Sequence, residues 1–208
     1  MTQESILLIG AGGHARACID VIEQEGRFAV KGLVGHSHEV GSRIFDYPVL
    51  GTDEDLPALL GDFANVLVAV GQIKTPELRI RLFDLVQKNG CRLPVIVSPH
   101  AYVSQHVKLN IGTIVMHGAV INAGAEVGRN CIINSQSLVE HGVVIADHCH
   151  IATAATINSG VRIGMGTFMG SNSSVRQSIN IGERCVIGMG HKVLADCEAG
   201  VCMPLEKS

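Results

Sequence analysis

The sequence predicts a small α/β domain followed by a long stack of short parallel strands. Three observations predict this fold class. Glycine accounts for 24 of the 208 residues, aromatic residues for only 3% and hydrophobic residues for 47%. Strand-like and helix-like segments alternate in the first half, and an apolar residue recurs every six positions in the second. This composition excludes a disordered chain and favours repetitive β-structure over a core built on large aromatic anchors.

The first 96 residues alternate between predicted strands and helices, which indicates a small parallel sheet. The predicted strands are residues 5–9, 30–34 and 67–70, the last ending at Gly71. The predicted helices are residues 15–25, residues 53–60 with Asp53 as the N-terminal cap, and residues 76–88 with an apolar stripe of Leu78, Leu82 and Leu85. Residues 93–97 lead into the repeat.

A glycine-rich turn from Gly10 to Arg16 joins the first strand to the first helix and is close to the dinucleotide-binding fingerprint. Two features argue against an NAD-binding site. No acidic residue ends the second strand, where His36 follows Gly35, and some 95 residues supply only half of a Rossmann fold. Free N–H groups at a helix N-terminus still suit an anion. We therefore expect the phosphates of a nucleotide-linked substrate here, or else a tight turn without a ligand.

Residues 97 to about 203 carry the six-residue repeat. Every sixth residue from Val97 to Ala199 is apolar, giving 18 positions in one phase, and the residue four places later is Ala, Cys, Ser, Thr or Val in 15 of them. Three short strands per turn, each with one inward side chain and a small residue near the corner, explain the pattern. Such coils bury a core only by stacking. Eighteen strands predict about six coils without an insertion.

Together with residues 10–15 (GAGGHA), 68–71 (VAVG) and 134–141 (NSQSLVEH), the repeat resembles the hexapeptide-repeat sugar acyltransferases. That group includes bacterial UDP-4-amino-sugar N-acetyltransferases and sialic-acid O-acetyltransferases. The resemblance implies a Rossmann-like α/β half domain over residues 1–96 and a left-handed parallel β-helix over residues 97–208. It also implies a homotrimer with active sites between subunits, and direct transfer from acetyl-CoA to the amine of a nucleotide-linked 4-amino-6-deoxy sugar.

The resemblance also implies roles for individual residues. His141 would be the general base, His150 would lie in the acceptor site, and His14 would contact the nucleotide-sugar with Gly12, Gly13 and Gly71. Independently of the resemblance, the room that glycine leaves beside backbone amides makes Gly164, Gly170 and Gly188 candidates to accommodate the pantetheine arm of the cofactor. Arginines and a lysine of the last coils either meet the CoA phosphates or form a solvated face; these are Arg162, Arg176, Arg184 and Lys192.

One position departs from the family pattern. An acidic residue usually follows the base and holds its tautomer, but here Gly142 follows His141 and Glu140 precedes it. Glu140 is the candidate catalytic carboxylate, although adjacent residues of a strand point to opposite faces. Four other side chains could orient the ring; they are Asn122, Asn134, Asn158 and Ser159. Two alternatives stay open: a sugar O-acetyltransferase, and a catalytically silent trimeric scaffold that binds a nucleotide-sugar.

Several other classes of function are disfavoured. A net charge of −3 without a Lys/Arg cluster argues against a nucleic-acid partner. No run of 18 apolar residues predicts a membrane span, and residues 1–9 lack the basic start of a signal peptide. Seven cysteines without a CxxC pair indicate reduced thiols and a cytoplasmic protein. The histidine spacing fits no zinc site, so we expect no metal and interpret His100, His106 and His117 as surface or cleft-edge residues.

Overall fold

A computed structural model describes residues 3–203. Its N-terminal half is a five-stranded sheet with helices on both faces. The elements in chain order are β1 (Glu4–Ile9), α1 (Gly13–Glu25), β2 (Phe28–Val34), a 3-10 turn (Ser37–Glu39), β3 (Arg43–Ile44), β4 (Tyr47–Gly51), α2 (Leu56–Asp62), β5 (Asn65–Val68) and α3 (Glu77–Lys88). The strand order is β3-β4-β2-β1-β5, and every pair except the short β3–β4 hairpin is parallel. The hairpin is absent from the sequence-based prediction.

Two details of the predicted helices are wrong. The residue that caps α2 is Asp55 and not Asp53, and its carboxylate accepts the backbone N–H of Thr52 at 2.8 Å instead of one from the helix. The buried row of α3 consists of Arg79, Leu82, Phe83 and Val86. Leu78 of the predicted stripe is 41% exposed, because α3 packs on the sheet through the adjacent row.

The C-terminal half is a left-handed parallel β-helix of two-residue strands, as predicted. Its strands are β6 (Ile96–Val97), β7 (Tyr102–Val103), β8 (Lys108–Leu109), β9 (Ile114–Val115), β10 (Val120–Ile121), β11 (Glu126–Val127), β12 (Ile132–Ile133), β13 (Leu138–Val139), β14 (Val144–Ile145), β15 (His150–Ile151), β16 (Thr156–Ile157), β17 (Arg162–Ile163), β18 (Phe168–Met169), β19 (Ser174–Val175), β20 (Asn180–Ile181), β21 (Val186–Ile187), β22 (Lys192–Val193) and β23 (Cys202–Met203). They form three faces. The first runs from β6 to β23, the second from β7 to β22, and the third from β8 to β20.

The second residue of each strand points into the coil, and these Val and Ile side chains form the core of the β-helix. At one corner the small residues stack every 18 positions, as Thr113, Cys131, Cys149, Thr167 and Cys185. Their hydroxyl and thiol groups donate to corner carbonyls: Thr113 to Gly128 at 2.7 Å, and Cys149 to Gly164 at 3.1 Å. Small polar residues therefore satisfy backbone groups that the corners leave unpaired.

The final coil breaks the predicted phase. Asn180 and Ile181 pair with a segment 16 residues later, where Ile181 bridges to Cys197. Consequently Cys197 takes the inward place and Ala199, predicted to point inward, is exposed. The reason is a shorter turn, in which the Asp196 carboxylate accepts the N–H of Asn180 at 2.9 Å.

The N-terminal domain is seated on the first face of the β-helix. Helix α1 packs against the outward side chains of Ile114, Met116 and Ile132 in one continuous core. His117, predicted as a surface residue, bridges the two domains: its ring lies 2.7 Å from the Asp20 carboxylate and 2.6 Å from the Ser98 hydroxyl. The outward column of this face continues to His150 and Phe168.

Candidate functional site

A cavity of about 590 Å³ lies where β1, β2 and β5 end. The carboxyl ends of parallel strands are the usual place for a ligand in such a sheet. The predicted substrate-binding residues Gly12, Gly13, His14 and Gly71 all line it. Gly12 is the N-terminal cap of α1, and no atom lies within 4 Å of an ideal Cβ on Gly12 or Gly13. The helix N-terminus is therefore open to an anion.

His14 is a neutral imidazole on the wall of this cavity. Burial, followed by the charge of Arg79 and the neighbouring His150, lowers the pKa of His14 to about 3. Burial raises the pKa of the Cys18 thiol to about 12, so that the thiol keeps its proton. Its sulfur lies 3.5 Å from Nε2 of His14, one helical turn earlier. The ring tautomer sets the direction of this contact: with its proton on Nδ1 the ring accepts from the thiol, and with its proton on Nε2 it donates to the sulfur.

His150, predicted to bind substrate, is not among the residues that line the cavity; its ring lies 6.4 Å from that of His14 and edge-on to Phe168. Its Nδ1 donates to the backbone carbonyl of Gln72 at 2.7 Å, and its Nε2 accepts from the Asn134 amide at 3.2 Å. The Asn134 oxygen in turn accepts the backbone N–H of Ser135, which fixes the orientation of the amide. Burial lowers the pKa of His150 to about 4, so the ring is neutral with both nitrogens engaged.

The loop that follows β5 carries residues that sequence reasoning missed. The Gln72 side chain donates to the carbonyl of Gly166 at 3.0 Å, and Gln72 is 3% exposed. Pro76 lies against Gly166, whose ideal Cβ would approach it to 2.8 Å. This loop therefore ties the cavity wall to the fourth coil of the β-helix. Gln72 contacts His150 through its backbone carbonyl, a group that every residue has, so the sequence could not predict this contact.

His141 lies apart from this cavity. It follows β13 at the corner between the second and third faces, whereas the N-terminal domain covers the first face. The side chain is exposed, and within residues 3–203 no hydrogen bond to its ring is formed. The Glu140 carboxylate accepts the backbone N–H of His141 at 3.2 Å and so does not hold the ring. Asn158, one coil further on, donates instead to the carbonyl of Val175 at 2.6 Å.

Two of the three glycines predicted to accommodate a cofactor have a packing role. An ideal Cβ on Gly164 would lie 2.5 Å from the backbone nitrogen of Glu183, and one on Gly170 would lie 2.6 Å from the carbonyl carbon of Gly188. Successive coils therefore approach too closely at these positions for any side chain. Gly188 itself donates its N–H to Met203 at 2.7 Å.

Two further observations concern the class of site. In the part of the chain that the structure describes, no three His, Cys, Asp or Glu side chains are grouped as metal ligands. Among those same residues, no helix combines the length and the apolar character needed to cross a membrane.

Comparison with known families matches the two halves of the chain separately. The PglD N-terminal domain family matches residues 5–84, which contain the glycine-rich turn and most of the cavity. The hexapeptide repeat of succinyl-transferase matches residues 160–195 of the β-helix.

Solved structures match the whole chain. A histidine-to-asparagine mutant of perosamine N-acetyltransferase from Caulobacter crescentus, in complex with CoA and GDP-perosamine, is 29% identical; the match covers 98% of this chain and 94% of that chain with a TM-score of 0.90. The acetyltransferase domain of PglB from Neisseria gonorrhoeae, in complex with acetyl coenzyme A, is 25% identical, with coverages of 98% and 97% and a TM-score of 0.88. WeeI from Acinetobacter baumannii, at 22% identity and a TM-score of 0.82, shares the fold over 97% of this chain and 96% of its own.

Proposed function

We propose that this chain is a hexapeptide-repeat sugar acyltransferase that transfers the acetyl group of acetyl-CoA to the amino group of a nucleotide-linked 4-amino-6-deoxy sugar. One observation carries this proposal. The likeness to a sugar N-acetyltransferase crystallised with CoA and a nucleotide-sugar extends over 98% of the chain, and so includes both the cavity and the coil of His141. In the proposed reaction the α/β half would bind the nucleotide-sugar and the β-helix the acetyl donor.

The cavity is suited to the nucleotide end of such a substrate. The free N–H groups of Gly12 and Gly13 and the positive end of the α1 dipole favour phosphate oxygens. His14 is a neutral imidazole on the same wall, and with its proton on Nδ1 it would add an N–H donor. An ideal Cβ on Gly71 would lie 3.8 Å from the Cβ of His14. The absence of that Cβ lets a ligand pass close to the backbone there. In this scheme His150 forms part of the wall of the acceptor site.

His141 is the proposed general base. The amine nitrogen of the sugar attacks the thioester carbonyl carbon, and His141 accepts the proton that this nitrogen loses. The tetrahedral intermediate then collapses, the C–S bond breaks, and CoA leaves as a thiolate that takes up a proton. No covalent acetyl-enzyme is needed for direct transfer, so no Ser or Cys nucleophile is assigned.

The exposed corner position of His141 favours a homotrimer with active sites between subunits. Its ring lacks a hydrogen-bond partner within residues 3–203, and the N-terminal domain covers a different face. A neighbouring copy would bring its own cavity, and groups that orient the ring, to this corner. Gly142 supplies no carboxylate for that task, so the orienting group has to come from Asn122, Ser159 or the neighbouring copy.

The test is a steady-state assay of CoA release with acetyl-CoA and a UDP- or GDP-linked 4-amino-6-deoxy sugar. We expect turnover by the wild-type protein, and a loss of at least about 100-fold in kcat for His141→Ala, the usual worth of a general base. His106→Ala is the matched control, since His106 is also exposed at a corner. Unchanged turnover of His141→Ala would remove His141 as the base.

The two alternatives give different outcomes in the same assay. A sugar O-acetyltransferase turns over the 4-hydroxy analogue faster than the 4-amino sugar. A catalytically silent scaffold, favoured by Gly142 and the unsupported ring of His141, binds the nucleotide-sugar but releases no CoA.

A further inference from the structure

Arg79 of α3 is among the most deeply buried side chains of the molecule, with an exposure of 1%. Its guanidinium lies between the end of β5 and the β-helix. Nη1 donates to the carbonyls of Val68 at 3.0 Å and Val70 at 2.5 Å. Nη2 donates to the backbone carbonyl and to the side-chain oxygen of Asn130, both at 2.8 Å. Burying a charge is costly unless it is paired.

No carboxylate within residues 3–203 forms an ion pair with Arg79. The ionisable groups around it are two thiols and three imidazoles: Cys18, Cys131, His14, His148 and His150. Two carboxylates, Asp147 and Asp84, act on His148 from its far side. Asp147 is already paired with Arg129 at 2.7 Å. Burial lowers the pKa of Arg79 only to about 10, so the guanidinium keeps its charge at neutral pH. The Nε of Arg79 has no hydrogen-bond partner.

The position of this cation relates it to the cavity. Val70, whose carbonyl Arg79 holds, lines the cavity beside Gly10 and Gly71. The carbonyls of Val68 and Val70 stand at the carboxyl end of β5, where their negative ends would otherwise repel an anion. Arg79 therefore neutralises these carbonyls and places one positive charge in contact with Val70, a residue of the cavity wall. The carboxylates on this cavity, Glu39, Asp53 and Glu54, lie on the loops after β2 and β4.

We propose that Arg79 is the buried counter-charge for the diphosphate of the bound nucleotide, acting through the cavity wall without touching the ligand. This role rests on the proposed function, since it needs an anionic ligand at the α1 N-terminus. A charge in a poorly solvated interior is weakly screened, so it attracts an anion more strongly than a surface charge at the same distance. Arg79 is thus a positioning residue, and its contribution scales with the charge of the ligand.

Asn130→Asp provides the sharpest test, because it pairs the Arg79 charge without removing Arg79. The side-chain oxygen that already accepts from Nη2 becomes part of a carboxylate. The Asn130 amide also lies 3.0 Å from Nδ1 of His148, and that ring can change tautomer and donate to the new carboxylate. The same amide donates to the backbone carbonyl of Arg79 at 3.2 Å, a hydrogen bond that the carboxylate loses, so we expect the variant to be somewhat less stable than the wild type. Asn130 has φ +54°, a conformation that Asp tolerates. The binding of UDP and GDP is measured by calorimetry, and that of uridine and guanosine by ligand-detected NMR titration.

The expected result is an at least ~5-fold weaker affinity of Asn130→Asp for the nucleoside diphosphate that the wild type binds, with unchanged affinity for its nucleoside, measured at a temperature where both proteins are folded. Arg79→Gln should show the same selective loss, and Arg79→Lys should recover part of it. An equal change for diphosphate and nucleoside, or no change for either, would overturn the role of Arg79 while leaving the proposed function intact. If the wild type binds neither diphosphate, the proposed function itself fails.

Discussion

Nδ1 of His150 donates a hydrogen bond of 2.7 Å to the backbone carbonyl of Gln72 across the joint between the two domains. The proton on Nδ1 leaves Nε2 as an acceptor, and the Asn134 amide fills that position. Protonation of the ring would bring a second N–H against the amide donor in a buried environment. The joint beside the cavity is therefore built around an uncharged histidine.

The first prediction concerns the stability of the protein below neutral pH. The folded-state pKa values of His14 and His150, about 3 and about 4, lie below the ordinary value of 6.5. Above pH 6.5 neither state binds these protons, so stability is undiminished there. Below it, the unfolded chain binds protons that the folded chain excludes. The free energy of unfolding therefore falls by up to about 1.4 kcal/mol per pH unit for each histidine.

Urea unfolding between about pH 7 and pH 5 measures this slope. His14→Asn removes one titrating group from a cavity wall, so the slope should become shallower. Burial also lowers the pKa of His148, which contributes to the slope in both proteins. A stability that does not change with pH in this range would show that the two imidazoles take up protons equally in the folded and the unfolded chain.

The second prediction concerns Asn134→Asp. The carboxylate keeps the acceptor for Ser135 but replaces the donor to His150 with a negative charge. It therefore raises the pKa of His150, and the variant loses about 1–3 kcal/mol of stability at high pH that it recovers as the ring takes up a proton. NMR titration of the His150 ring reports the change. Asn110→Asp is the control, because Asn110 also follows an inward residue but donates to the Val127 carbonyl. Equal titration of His150 in both variants would contradict the orientation of the amide.

The third prediction concerns Gly142→Glu, which places a carboxylate beside His141. Gly142 has φ +67° and no atom within 4 Å of an ideal Cβ, so the side chain fits at a cost of about 1 kcal/mol for the left-handed backbone. A carboxylate that orients the ring should raise kcat for acetyl transfer several-fold. Gly90→Glu has a similar φ of +74° and equally open space, far along the chain at the end of α3. The Gly90→Glu variant should lose the same stability without a gain in kcat. If neither variant gains in kcat, the His141 ring is already oriented in the wild type.

The fourth prediction concerns Gly170→Ala. The added Cβ would lie 2.6 Å from the backbone of the next coil, so the coils must separate and stability should fall by about 1–3 kcal/mol. Thermal unfolding checks this with and without CoA. Gly61→Ala, in α2 with no neighbour within 4 Å, should be neutral or slightly stabilising. A Gly170→Ala variant of normal Tm that binds CoA poorly would instead support a cofactor role for this glycine.

The extent to which the sequence predicts the fold differs between the two domains. In the β-helix one rule repeats, so a six-residue phase predicts that Val115, Ile133 and Val175 all point into the core. The last coil escapes the rule because its two-residue shortening depends on a contact between Asp196 and Asn180, which only the folded chain brings together. In the α/β domain no such rule exists, and the short β3–β4 hairpin is absent from the prediction.

The same difference applies to the candidate site. Gly12, Gly13 and His14 stand in a local motif, so their shared place at the cavity is predictable from sequence. The sequence-based prediction misses Arg79, which is a charged residue within an otherwise apolar row of α3. The row of Arg79, Leu82 and Val86 has helical spacing, and an arginine within it is the signal that could have found the residue. The partner of that guanidinium lies 51 positions away, at Asn130.

The seating of α1 on the first face has a consequence for biosynthesis. Ribosomes make the N-terminal domain first, whereas Ile114 and Ile132, which complete the core around α1, are synthesised later. Until these coils emerge, the sheet covers only one side of α1, and the part of the helix that faces the β-helix is exposed. The core of the nascent domain is therefore complete only when the β-helix has been made. A ribosome that stalls before the second coil leaves hydrophobic surface of α1 exposed, and such surface is a binding site for chaperones.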